Sequence, residues 1–222
     1  MSRSSTSSSR SSRPSPMGFH APFVYSGKQD GKYMLENYTK QVYMGTYAPF
    51  NSKFIIDEVQ QQYGNTSGLY VLGIKYKRVW SDKKNRYVGG DSQLTVTGTV
   101  TDAESFDEGA LRELREEVGG NIDDISVLPK FSHTTYGRTF VSYVVNVSNL
   151  SKIPDSDKSK KPVGMDDRNK KVEIAVVGTL AEFKMFFGRV DCRLNDADGI
   201  DGCVLFEFDD FVKLSATYKL SV

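Results

Sequence analysis

Stretches with a two-residue apolar period alternate along the chain with shorter ones in which apolar residues recur at helical spacing. Residues 69–80, LYVLGIKYKRVW, alternate over their second half and read as a strand; residues 93–100 read as the returning strand. Between them, residues 82–90, DKKNRYVGG, form a turn-rich basic hairpin. In residues 108–118, Ala110, Leu111, Leu114 and Val118 share one face at about 100° per residue, which predicts an amphipathic helix. Residues 98–107 lack an apolar period and form the loop before it. Farther on, Val141, Tyr143, Val145 and Val147 fall on one face of a run whose other face carries Phe140 and Val144. This predicts a long strand over 131–147, or a hairpin bent near Tyr136-Gly137. Residues 148–171 are polar, charged and contain proline, and so predict an exposed loop. VEIAVV at 172–177 is a further strand, and Thr179 followed by Glu182 has the spacing of a capping box for a helix to about residue 187. Residues 202–208 add a last strand and 209–214 a short terminal helix.

The N-terminal quarter follows other rules. Residues 1–17 are Ser, Arg and Pro with almost nothing to bury, so they predict a disordered tail without the apolar region of a secretory signal. Of 222 residues, 29 are Lys or Arg and 28 Asp or Glu, a formal net charge of +1. Arg3, Arg10 and Arg13 meet no acid in the tail, leaving about −2 for the remainder. The tail is a phosphate-binding arm or a solvated terminus, and its composition favours the second. Residues 18–64 differ, with Phe19, Phe23, Tyr25, Tyr33, Met34, Tyr38, Tyr43, Tyr47 and Phe50 spread among polar positions. Aromatics stack on nucleobases, but scattered ones belong more often to an ordinary core, the reading favoured here. Phe54-Ile55-Ile56 is a short buried strand or a helix start. The chain thus divides into a tail at 1–17, an accessory segment at 18–64 and a main domain at 65–222.

Several function classes lose support. No apolar run approaches the ~20 residues that cross a bilayer. Cys192 and Cys203 do not have structural zinc spacing and read as free thiols of an intracellular, cytoplasmic protein. Two histidines, His20 and His133, give a Ser/His hydrolase little footing, and His133 reads as a polar strand residue. Neither a Walker loop nor a dinucleotide glycine fingerprint is present.

Chemistry concentrates on the helix at 108–118. Glu113, Glu116 and Glu117 are related by i,i+3 and i,i+4 steps, which gathers their carboxylates on the side roughly opposite the apolar face. Like charges so placed repel, and in the second half of a helix the macrodipole disfavours them further. A compensating cation resolves the conflict. Hard divalent ions such as Mg²⁺ or Mn²⁺ take oxygen ligands and keep positions for water and phosphate oxygens.

Gly98, five residues, Glu104, seven residues, then Arg112-Glu113-Leu114-Arg115-Glu116-Glu117-Val118-Gly119 resembles the Nudix box of the Nudix hydrolases. Only the last position departs, with Gly120 where a bulky aliphatic is usual, which predicts looser packing after the helix. The fixed positions would match by chance less than about once in 10⁸ starting points. The segment RELREE alone would suit a solvated helix, but Gly98 and Glu104 at the right distances favour a metal-binding hydrolase site.

The resemblance implies an α/β fold in which helices sandwich a mixed sheet, α/β/α, with an N-terminal extension. It implies hydrolysis of a nucleoside diphosphate linked to another group, dependent on Mg²⁺ or Mn²⁺. Carried over by position, Glu116 and Glu117 are the principal metal ligands, Glu113 is a further ligand or the base, and the Thr97 carbonyl is another ligand. Gly98, Glu104 and Arg112 support the box, Arg112 through an ion pair with Glu104. The family adds an acid from outside the box; Glu173 is the first candidate, with Asp166 and Asp167 behind it, against the alternative of an exposed strand carboxylate. Lys75, Lys77, Arg78 and Trp80, with the hairpin's Lys83, Lys84 and Arg86, are candidates for contacting substrate. An mRNA 5′ cap ranks first as substrate, since a long polyanion would use the basic segments. ADP-ribose follows, then diadenosine polyphosphates and damaged nucleoside triphosphates. A non-catalytic nucleotide- or RNA-binding module is the alternative of another class, although no acidic box residue is lost. Some family members build their pocket from two subunits, so a homodimer is compatible with the resemblance.

Overall fold

The computed structural model describes residues 23–29, 32–37, 46–90, 92–153, 163–189 and 200–218. The Ser/Arg tail, His20 and Cys192 lie outside them. Before the box come β1 (Phe23–Gln29), β2 (Lys32–Asn37), β3 (Thr46–Tyr47), α1 (Ser52–Tyr63), β4 (Leu69–Tyr76), β5 (Arg78–Ser81), β6 (Arg86–Gly89), β7 (Ser92–Gln93) and β8 (Val96–Thr101). Then follow α2 (Phe106–Glu113), β9 (Gly120–Asn121), β10 (Lys130–Thr135), β11 (Arg138–Asn146), β12 (Ser151–Lys152), β13 (Asp166–Thr179), α3 (Leu180–Arg189), β14 (Ile200–Glu207) and α4 (Phe208–Tyr218).

The main sheet runs β10-β11-β13-β4-β14-β1-β2, with β8 paired to β13 and β7 paired to β3 and β4. It is mixed: β11 lies parallel to β13, while β8 and β4 lie antiparallel to it. Strand β13 is central, and VEIAVV is buried on both faces. Val172, Ile174 and Val176 pack with Ala110 of α2, Leu114 just after it and Phe183 of α3. Ala175 and Val177 pack on the other face with Ile55 and Val59 of α1 and Phe211 and Leu214 of α4. Two apolar layers on opposite sides of one sheet are the expected α/β/α architecture. Phe54-Ile55-Ile56 belongs to α1, with Ile55 fully buried.

Three expectations change. The polar stretch expected as loop to residue 171 already becomes β13 at Asp166, because pairing of Asp166 and Lys171 with β8 and of Lys170 and Lys171 with β11 outweighs its polar composition. Helix α2 starts at Phe106, two residues early. Ser105 caps it, its hydroxyl accepting from Glu108 N at 3.2 Å while Ser105 N donates to Glu108 Oε2 at 2.8 Å. After Glu113 the turn widens into a π-helix over Leu114–Val118, and Gly119 ends it in the left-handed region at φ 75°. Packing beyond the helix is not loose. A Cβ on buried Gly120 would lie 3.0 Å from Phe186 Cζ and 3.2 Å from Leu150 Cδ1, so those side chains fill the place of the usual aliphatic. The Thr179–Glu182 capping box is present, with Glu182 N donating to Thr179 Oγ1 at 3.3 Å.

Candidate active site

Strand β8 and α2 with its π-turn hold the box together through Arg112. Its guanidinium donates from Nε to Glu104 Oε1 at 2.8 Å, from one terminal nitrogen to Glu113 Oε1 at 2.8 Å and Glu116 Oε2 at 3.1 Å, and from the other to the Thr99 carbonyl at 2.7 Å. Glu104 Oε2 also accepts from Thr101 N at 3.0 Å. One side chain thereby ties the loop, the strand and two helical acids. Burial works against the Arg112 charge, but the hydrogen bond to Glu104 and the charges of Glu113 and Glu116 outweigh it and raise its pKa. Burial likewise works against the Glu104 charge, and the Arg112 and Thr101 hydrogen bonds overcome it, holding that carboxyl below its ordinary value.

The acidic face is not a solvent face. Glu113 and Glu117 are only 7% and 5% exposed, turned against β8, and Glu116 is partly buried. Glu117 Oε2 accepts from Thr97 N at 3.3 Å. A Cβ on Gly98 would overlap the Glu113 carboxyl, so only glycine admits that carboxylate against the strand. The structure therefore brings together Thr97, Gly98, Glu104, Arg112, Glu113, Glu116 and Glu117.

This set consists of three carboxylates and a strand carbonyl. All are hard oxygen donors, a chemistry that fits Mg²⁺ or Mn²⁺. Among the described residues no three His, Cys, Asp or Glu side chains are already gathered as a metal cage. Arg112 instead bridges Glu113 and Glu116.

Glu173 lies on the strand next to the box, its backbone opposite Thr97. It projects on the α1 face of β13, completely buried, and both its oxygens are held: Oε1 by Phe50 N at 2.8 Å and the Thr95 hydroxyl at 3.0 Å, Oε2 by Asn51 N at 3.2 Å and the Ser142 hydroxyl at 2.6 Å. Burial pushes its carboxyl up against the pull of these four donors. The two backbone donors lie just before α1, so the carboxylate tethers the start of that helix to the sheet. It is not the exposed strand carboxylate that the sequence left as the alternative, and Thr95 and Ser142 are partners no motif identified. Asp166 and Asp167 begin β13, where Asp167 pairs with Lys170.

Among the candidates for substrate contact, Lys75 lies near the end of β4 and Lys77 just beyond it. Arg78 and Trp80 belong to β5, which among the described residues pairs with β6 in a separate two-stranded sheet. Trp80 and Tyr87 are half exposed and meet edge to face at 5.1 Å, and Lys83, Lys84 and Arg86 are exposed around them. Cys203 is buried, its thiol donating to the Glu117 carbonyl at 3.8 Å. No described helix is long and apolar enough to cross a membrane.

Compared with known families, residues 70–174 match the NUDIX domain. Neither a curated protein nor a solved structure matches the chain.

Proposed function

Because this chain belongs to the Nudix hydrolases and acts as one on pyrophosphate bonds, we propose that its substrate is a nucleoside diphosphate joined to RNA, the 5′ cap of an mRNA. Nudix hydrolases typically use divalent metals such as Mg²⁺ or Mn²⁺. Here Glu116, Glu117 and the Thr97 carbonyl would hold the ion, with Glu113 as a further ligand or as the base that takes the water proton. When bound, the ion neutralises phosphate charge and eases deprotonation of the attacking water. Arg112 and Glu104 keep the carboxylates in place, and Gly98 lets Glu113 approach the strand. Glu173, tied to the start of α1, anchors that helix and takes no proton in the reaction.

The observation that carries the choice of RNA is the β5–β6 hairpin. It stands outside the main sheet and presents Trp80 and Tyr87 among Lys83, Lys84 and Arg86. Exposed rings among cations suit a single strand, whose bases stack while its phosphates seek positive charge. A pocket for a small dinucleotide has no use for such a finger.

The test offers capped RNA and ADP-ribose side by side with Mg²⁺ or Mn²⁺ and identifies the products. Release of a methylated guanosine diphosphate supports the proposal. AMP from ADP-ribose with capped RNA untouched would replace it with a small-molecule pyrophosphatase. Glu116→Gln with Glu117→Gln is expected to abolish hydrolysis while leaving the fold intact; retained activity would point to a different site.

A further inference from the structure

On the face of the sheet that carries α1, the strand register lines up one row of side chains from the box to the sheet edge. Thr99 of β8 lies opposite Lys171 of β13, Lys171 opposite Phe140 of β11, and Phe140 opposite His133 of β10. Paired residues on neighbouring strands project to the same face, and the contacts bear this out. Lys171 Nζ donates to Thr99 Oγ1, and the Phe140 and His133 rings stack 5.2 Å apart at 19°.

The aromatic end of this row is larger than two rings. His133 stacks 6.4 Å from Phe131, Phe131 lies 5.6 Å from Phe54 of α1, and Phe50 lies 4.5 Å from Phe140. A cluster that served packing alone would be closed over, yet Phe50 and Phe131 are 43% and 47% exposed. Nor does hydrogen bonding explain His133, because its enclosed Nδ1 has no partner among the described residues. The imidazole is held by ring packing, as a member of the platform.

The other end of the row is the box. The carbonyl of Thr99 accepts from Arg112, and one residue before it is Gly98, against the Glu113 carboxylate. Strands lie about 4.8 Å apart, so two strand spacings, about 10 Å, separate β8 from the Phe140 ring on β11. The acids lie beyond β8, Glu113 against Gly98 on the α2 face and Glu117 at the Thr97 N–H; across that strand, on the α1 face, a lysine and then a partly open aromatic surface follow. That order is complementary to a metal-bound phosphate, a second phosphate and a base.

We propose that this row is the nucleotide track of the enzyme: the nucleobase stacks on the rings of Phe50, Phe131, His133 and Phe140, and Lys171 contacts a phosphate leading to the box. The track deepens the function proposed above and rests on it for the identity of the anhydride. Stacking itself is tolerant of base identity, since every base has a π face.

Equilibrium binding to the full chain, measured by calorimetry, tests the track with three probes: 7-methylguanosine diphosphate, ADP and inorganic pyrophosphate. Phe131→Ala and His133→Ala are each expected to weaken both nucleotides about tenfold, the loss of one stacking partner, and to leave pyrophosphate unchanged. Phe131→Tyr restores nucleotide binding, and Lys171→Gln weakens all three probes. Unchanged nucleotide binding in both alanine variants would overturn the proposal, as would a parent that binds the nucleotides no more tightly than pyrophosphate. Because binding is read without turnover, the two proposals fail separately. Ring-dependent binding without any anhydride cleavage keeps the track and sinks the decapping reading, whereas cleavage with ring-independent binding does the reverse.

Discussion

At Gly98 a missing side chain is a chemical requirement, because the Glu113 carboxyl occupies the space a Cβ would take. Gly98→Ala therefore has to displace that carboxyl from β8. Its expected signature is a loss of hydrolysis of tenfold or more, with little change in secondary structure by circular dichroism. Arg112 presents the converse case. Its side chain is 15% exposed, and removing it leaves Glu104, Glu113 and Glu116 without the cation that ties them. Arg112→Ala should lower stability by about 3 kcal/mol, the loss typical when one partner of a buried ion pair is removed, readable in a urea titration. Arg112→Lys retains the charge but not the fork that reaches strand, loop and helix together, so it should fall between the two. At this scale the box was legible in the sequence, since one spacing pattern specifies both the acids and their supports. Lys171 and His133 were not, because nothing local marks a residue whose neighbours are reached only across strands.

Among the elements, α2 is decided by its ends. The Ser105 cap closes the loop one turn before the apolar period becomes visible, and its S-x-x-E signature was present in the sequence. Ser105→Ala should lower stability by about 1 kcal/mol, measurable as a reduced thermal midpoint without loss of the reaction. At the far end, Gly120 is enclosed by Phe186 of α3 and Leu150. Gly120→Val restores the aliphatic usual in the family but forces those side chains apart, and should destabilise by about 1–3 kcal/mol in the same assay. A motif-based substitution would be expected to help there, and only the α3 contact reverses its sign. Strand β13 carries a similar lesson: its first six residues are polar, and pairing of Asp166 and Lys171 with β8 and of Lys170 and Lys171 with β11 makes the stretch strand.

Across the whole molecule, Glu173 joins the layers. It is a carboxylate buried on the α1 side of the sheet, bonded to strands and to the backbone before α1. Its pKa is raised by burial, so as pH rises past the ordinary carboxylate value the unfolded chain gives up its proton first. Through that window the folded state binds more protons, and stability falls with rising pH. Denaturant midpoints taken from about pH 4 upward should show this decline in the parent, and Glu173→Gln should lack that component while keeping the rate of hydrolysis. A variant that folds but no longer turns over would return Glu173 to the reaction.

The sequence by itself determined the reaction class and most elements, because apolar periodicity and the box are local patterns of spacing. Only the tertiary structure decided that Glu113 and Glu117 turn inward against β8, that Glu173 of β13 tethers the start of α1, and that Thr99, Lys171, Phe140 and His133 form one line. Each of these depends on strand register, and register is settled by the packing of both sheet faces at once; no segment carries it alone.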